Sequence, residues 1–346
     1  MNIIIFSISL IFLLLINYSF IKLKILIDIN TSSSHKISDL KTPLSGGIFF
    51  IIIFFIIDYY FNNNVKYIYL IYFCFIILGL LADAKLLNNP KIRFFLQLIL
   101  CISLVFFSKI TLEETRIYIL DDFLVNEFFN KFFLIFCFMT LLNGSNFIDG
   151  INGFLTGYFF LVVLSIILIN PISNLYLINY EYLQIYLIPM FCFFIFNLYN
   201  KNFLGDSGSY FLSIFFGLNL IYFINDNNNQ IAPFFIINLL WYPCFENLFT
   251  IFRRTKINST VYLPDQRHLH TLVYYYLIDK FNDKFLNSTI NSLSSFFIIL
   301  YLIPMFLYSI YFCDSSVKLF YALIVYILSY LYIYFRLSNY DKNKEK

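Results

Sequence analysis

Residues 132–170 read FFLIFCFMTLLNGSNFIDGINGFLTGYFFLVVLSIILIN. Two apolar runs flank one polar island, Asn143 to Gly153. A run of roughly 17–25 apolar residues crosses a bilayer as a helix, because a helix satisfies its own backbone polar groups in hydrocarbon. A short polar island between two such runs is the turn of a membrane hairpin. The same alternation continues in both directions and gives eleven spans, near 2–21, 47–62, 67–82, 93–109, 131–143, 153–169, 183–199, 209–225, 231–250, 290–312 and 317–336. The fifth is short. The expected fold is all-α: a polytopic integral membrane protein of about 11 transmembrane helices, one domain over 1–346, with its active site formed by cytoplasmic loops.

Composition agrees. The chain has 346 residues, 60% hydrophobic and 12% charged, with mean hydropathy +0.78, which excludes an ordinary soluble domain and a disordered one. The first span lacks a basic leading region and is too long for a signal-peptide core, so a membrane anchor is expected. With the amino terminus outside, the inner loops and tail carry 18 of the 23 Lys and Arg residues, against 5 outside. The positive-inside rule therefore expects a cytoplasmic carboxy terminus and a site facing the cytoplasm in the inner (plasma) membrane. No basic-aromatic array suggests nucleic acid. Six scattered cysteines, with no CxxC, read as small hydrophobes. Thr115 to Phe123 alternates and turns at Asp121-Asp122, which predicts a small outer hairpin.

Five polar clusters fall at alternate turns, hence on one face. They are His35-Lys36 to Gly46-Gly47, Asp83 to Arg93, Asn143 to Asn152, Phe203 to Ser209, and Arg253 to His270. Carboxylates are costly within hydrocarbon. Asp83, Asp149, Asp206 and Glu246 each stand at or near an inner span end, where they can line a shallow cavity. Alone, each reads equally well as a helix cap; four together point to a site. Asn143, Asn146, Asp149 and Asn152 recur every third residue with glycines between, a strip suited to a hydroxyl- and amide-rich ligand. Gly205-Asp206-Ser207-Gly208 opens a span, and its backbone N–H groups suit an anion. A carboxylate there needs a bridging cation, so Asp206 is the leading Mg²⁺ ligand. Arg254, His268 and His270 suit phosphate contacts. His35 and Lys41 add a second anion contact. Lys91 and Arg93 are explained by the positive-inside boundary. The residues together predict a Mg²⁺-assisted enzyme that handles a soluble phosphorylated substrate and a lipid phosphate.

In this order, the clusters resemble the polyprenyl-phosphate N-acetylhexosamine-1-phosphate transferases of glycosyl transferase family 4. That family includes enzymes that start O-antigen and teichoic-acid assembly and the phospho-N-acetylmuramoyl-pentapeptide transferase. The motifs that carry the resemblance are NxxNxxDGxxG, FLGDSGS and RR…PDxxHLH, within about residues 30–275. It implies transfer of a sugar-1-phosphate from a UDP-N-acetylhexosamine to a polyprenyl phosphate such as undecaprenyl phosphate, with release of UMP. It implies a catalytic set of Asp83, Asp149 and His268, and Mg²⁺, or alternatively Mn²⁺, on Asp206 with Asp83. Substrate would be bound by His35, Lys41, Asn143, Asn146, Asn152, Asn197, Phe203, Arg254 and His270. Among these, Asn197 and Phe203 look like the family's nucleotide-contacting Asn and aromatic. The lipid bilayer is the medium, and a homodimer stays open. Three positions depart from the family pattern: Ala82 replaces the first acid of a pair, Asn152 replaces an acid, and Thr271 stands where many members have His. An inactive homologue and a transporter are the competing readings. The stretch Val273 to Ile278 is expected to lie along the membrane surface.

Overall fold

The computed structural model describes residues 2–28, 42–61, 67–173, 183–256, 267–281 and 284–344. His35 and Lys41, and the Pro264-Asp265 part of the fifth cluster, lie outside the described residues. The helices are α1 (Asn2–Leu23), α2 (Gly46–Phe61), α3 (Ile68–Asp83), α4 (Pro90–Ser108), α5 (Tyr118–Leu124), α6 (Glu127–Ile148) and α7 (Phe154–Ser173). They continue as α8 (Leu183–Leu198), α9 (Gly205–Asp226), α10 (Phe234–Lys256), α11 (Leu269–Phe281), α12 (Asn287–Tyr311) and α13 (Ser316–Lys344). Among the described residues the one paired sheet is two residues a side, β1 (Ile27–Asp28) antiparallel to β2 (Thr42–Pro43).

Each expected span coincides with a helix. Eight are long and apolar enough to cross a membrane, namely α1, α4, α6, α7, α9, α10, α12 and α13. The apolar helices α2, α3 and α8 are shorter. At 16 residues each, they reach about 24 Å, less than the roughly 30 Å hydrocarbon core. The chain is a multi-pass, all-α membrane protein.

Two details differ from the expectations, and a third bears on the stretch Val273 to Ile278. The fifth span is 22 residues long, because its helix runs on through the polar strip to Ile148. Within it, Asn143 donates its side-chain N–H to the Met139 carbonyl one turn back (2.9 Å). The outer hairpin is absent, and α5 stands in its place. Asp121, expected in a turn, accepts from the Thr115 backbone N–H (2.7 Å) and hydroxyl (2.6 Å), which pins the start of that helix. Finally, α11 packs on α12 and α13. Leu269, Leu272, Tyr274 and Leu277 are buried there, so that face is turned to protein.

At the centre stands α9, which packs on α2, α3, α6 and α7. Its buried residues run all round the helix, Ser207 to Leu218 without a break, as a helix enclosed by others requires. Its first turn approaches two neighbours so closely that only glycine fits. A Cβ on Gly79 would come within 2.2 Å of Ser207 Cα, and one on Gly47 within 2.6 Å of Ser207 Cβ. By contrast α13 is peripheral, with exposed Val317, Phe320, Tyr321, Ile324, Val325 and Leu328. Such a surface is unfavourable in water and ordinary in lipid.

Gly79→Ala is expected to destabilise the protein by at least about 1–3 kcal/mol, because backbone must move. Gly217→Ala meets only side chains, Leu141 Cδ2 at 2.9 Å and Phe138 Cε1 at 3.2 Å, and should be milder. Melting midpoints of the two variants in the same detergent check this; equal midpoints would contradict the tight first turn.

Candidate active site

Gly205 has φ +73° and turns the chain into α9, a conformation open to glycine. Leu204, at the cap position, offers no side-chain cap. The missing cap comes from the last residue of α3. Asp83 Oδ1 accepts the Asp206 backbone N–H at 2.8 Å. Its Oδ2 accepts the Ser207 N–H at 3.2 Å and the Ser207 hydroxyl at 2.9 Å. A carboxylate on a helix N-terminus satisfies orphan N–H groups and complements the helix dipole. The first-turn N–H groups expected to hold an external anion are thus held by Asp83, and Asp83 serves as a cap from a distant helix.

Asp206 projects from the same turn. Its Oδ2 pairs with Arg93 Nη1 at 2.7 Å, both side chains being part-exposed, and the Tyr210 hydroxyl stands 3.5 Å from the same oxygen. Arg93 therefore belongs to the site, beyond the topological role its position suggested. Next door, the Ser209 hydroxyl donates to Asn146 Oδ1 at 3.0 Å, which brings in the end of α6. Asp149 follows that helix and is half-buried. Burial, then the negative charges of Asp206 and Asp83, push its carboxyl well above the usual carboxylate range. Three acids from separate hairpins are thus close enough to repel one another.

An amide network lies to one side. Asn152 donates its backbone N–H to Asn291 Oδ1 (2.7 Å) and its side-chain N–H to Asn200 Oδ1, while its carbonyl accepts from Ser295 (2.6 Å). Asn197 accepts the Gly153 N–H (2.5 Å) and donates to the Asn202 carbonyl (2.7 Å). Asn197 is buried, and its amide holds two loops together. Phe203, half-buried, bridges the segment before α2: its N–H donates to the Pro43 carbonyl (2.8 Å), and its carbonyl accepts from Gly46 (3.3 Å). Asn143 bonds its own helix, as described. Arg254 is buried in the last turn of α10.

The histidines close the other side. His268 Nδ1 lies 2.9 Å from Glu246 Oε1, and the Tyr330 hydroxyl donates to Glu246 Oε2 at 2.6 Å. The His268 and His270 rings stack in parallel, centroids 5.4 Å apart and planes within 3°. Phe147 lies against His268 at 5.1 Å. A Cβ on Gly150 would meet His270 Nε2 at 2.7 Å, which seats that ring beside the residue following Asp149. Burial, then the His268 charge, hold the His270 imidazole well below its ordinary range. Its Nδ1 is buried with no partner among the described residues.

The described parts of all five clusters meet at one end of the bundle. Sequence reasoning missed Tyr330, whose position in an apolar span carries no signal, and misread Arg93, whose signal was its spacing from Asp83. Among the described residues no three His, Cys, Asp or Glu side chains could cage a metal by themselves. Mg²⁺ commonly takes one or two carboxylates, with waters and substrate phosphates completing its shell. Asp206 with Asp149 fits that demand, whereas both oxygens of Asp83 already accept hydrogen bonds.

An all-α, multi-pass bundle with acids, amides and histidines gathered at one end defines a membrane-embedded candidate site. Residues 65–224 match the model of Glycosyl transferase family 4, and over that stretch the chain is similar to this family of polyprenyl-phosphate sugar-1-phosphate transferases. The match runs from just before α3 nearly to the end of α9; Glu246, His268, His270 and Tyr330 lie beyond it. No curated protein matches the chain. The family carries with it sugar-phosphate transfer in general, a lipid-phosphate acceptor, a nucleotide-sugar donor and a membrane environment.

Asp83→Ala is expected to lower stability by about 1–2 kcal/mol, as loss of a helix cap does. Asp206→Asn, which removes a part-exposed ion pair, should cost under about 1 kcal/mol. Thermal unfolding of both variants checks the division; the reverse order would show that Asp83 is no cap.

Proposed function

We propose that the protein transfers N-acetylhexosamine-1-phosphate from a UDP-sugar to a polyprenyl phosphate such as undecaprenyl phosphate, at the cytoplasmic face of the plasma membrane. An oxygen of the lipid phosphate bonds to the phosphorus that carries the sugar. The bond from that phosphorus to the bridging oxygen breaks, and UMP leaves with the oxygen. The observation that carries this reading is the juxtaposition at one bundle end of Asp206–Arg93, Asp149, and the paired histidines beside Gly150.

Phosphoryl transfer asks a protein mainly for positioning and charge neutralisation. Asp206 and Asp149 would hold Mg²⁺, or Mn²⁺ in its place. Bound there, the ion supplies neutralisation of the diphosphate and of the departing UMP. Asp83 keeps the turn that presents Asp206 in place. Arg93 is within reach of any phosphate that approaches Asp206, and a guanidinium suits that contact. His268 faces the phosphates through the nitrogen that Glu246 leaves unused. Asn146, at the end of α6 beside Asp206, would present an amide to a sugar hydroxyl.

Ala82 favours a second reading, a decayed homologue. With Asp83 bound to α9 and no acid at 82, Asp149 and Asp206 are the carboxylates left for an ion.

Membranes holding the protein, radiolabelled UDP-N-acetylglucosamine, polyprenyl phosphate and Mg²⁺ should yield labelled, acid-labile lipid. Chelation should abolish the product, and Mg²⁺ should restore it. Asp206→Asn should lower turnover by about 10²–10³-fold, the usual cost of losing a main electrostatic group. Near-normal turnover in that variant would refute the metal role. Activity appearing only on Ala82→Asp, across a panel of UDP-sugars, would favour the decayed site.

A further inference from the structure

The hydrogen bonds from α13 to the histidines form a chain that phosphate binding alone does not require. Tyr330, fully buried, donates to Glu246 Oε2 at 2.6 Å. Glu246, with no exposed surface, meets His268 Nδ1 through Oε1 at 2.9 Å. Thr250 Oγ1 approaches the same nitrogen at 3.5 Å. A carboxylate inside a membrane bundle is expensive and is a sign of function more than of packing. Glu246 Oε1 and His268 Nδ1 share one hydrogen bond. This bond fixes the ring's rotation and leaves Nε2 as its substrate edge. Parallel stacking on His270 and the contact with Phe147 fix the ring plane.

We propose that Glu246 and Tyr330 are positioning residues for sugar-phosphate transfer: Tyr330 aims the Glu246 carboxylate, which orients His268 towards the phosphates. The inference rests on the reading that His268 touches substrate. It assigns a role in the site to α13, a helix outside both the motif-bearing residues 30–275 and the matched residues 65–224. Tyr330 can be tested gently, since Tyr330→Phe deletes one hydroxyl and keeps the ring that packs on Phe245 and Trp241.

The experiment is a double-mutant cycle on full-length protein, read as kcat and KM for UDP-N-acetylglucosamine. A group that acts through His268 loses its effect when His268 is gone, and only such a cycle separates this from general damage. Tyr330→Phe alone should lower kcat about 3–10-fold with KM nearly unchanged, the scale of one hydrogen bond. Glu246→Gln should lower kcat about 10–100-fold, the scale of a supporting residue behind a functional one. In the His268→Ala background, and again in Glu246→Gln, Tyr330→Phe should cost no further activity. The chain's single tryptophan, Trp241, lies against Tyr330 with ring centroids 6.2 Å apart, so its emission reports whether packing is kept.

Wild-type kcat in Tyr330→Phe overturns the proposal. So does a Tyr330→Phe loss that persists in full on top of His268→Ala or Glu246→Gln, whether or not the emission shifts. If His268→Ala itself retains normal turnover, the failure lies in the underlying reading of His268 as a substrate contact.

Discussion

The carboxylate of Asp83 on the N-terminus of α9 is the contact on which the site depends. It joins the end of one helix to the start of another 123 residues later. It works because glycines at 46, 47 and 79 let the first turn of α9 sit closer to α2 and α3 than any side chain would permit. Asp206 leaves that turn and inherits its direction. The arrangement resolves a local conflict in the sequence, where a helix begins without a capping side chain of its own.

Around this anchor the polar residues divide into two kinds of work. Asn152, Asn197, Asn200 and Asn291 bond one another and the loop backbone, so that several helix ends can crowd together. Asp206, Arg93, Asp149 and the histidines bring ionisable groups close together. Neutral Asn152 belongs with the first kind, since its N–H groups feed neighbouring amide oxygens. Its departure from the family's acid therefore has a local structural account. Ala82 has none beyond its place beside Asp83.

Much of this was legible beforehand for definite reasons. Hydrophobic runs of membrane length must be helices, so the spans could be read from lipid's intolerance of unpaired backbone. Alternate turns must share a face, so the five clusters could be expected to meet. The ends of elements were read less well. Thr115 to Phe123 alternates like a strand, yet Asp121 reaches back to Thr115 and nucleates a helix. The strip from Asn143 to Ile148 looks like a loop, yet Asn143 bonds back to Met139 and Asn146 accepts from Ser209, both from within a helix.

The chain's composition and periodicity alone determined that it is a helical membrane protein with its polar chemistry on one side, because bilayer thickness and backbone hydrogen bonding permit nothing else. Tertiary structure decided which polar residue serves which purpose. Asp83 and Asp206 are indistinguishable as letters at span ends; one caps a helix and the other faces Arg93. Tyr330 is one tyrosine among 29, and it stands out only because packing brings its hydroxyl to a buried carboxylate. Such roles depend on distances of a few ångströms between residues far apart in the chain, and one-dimensional spacing does not encode them.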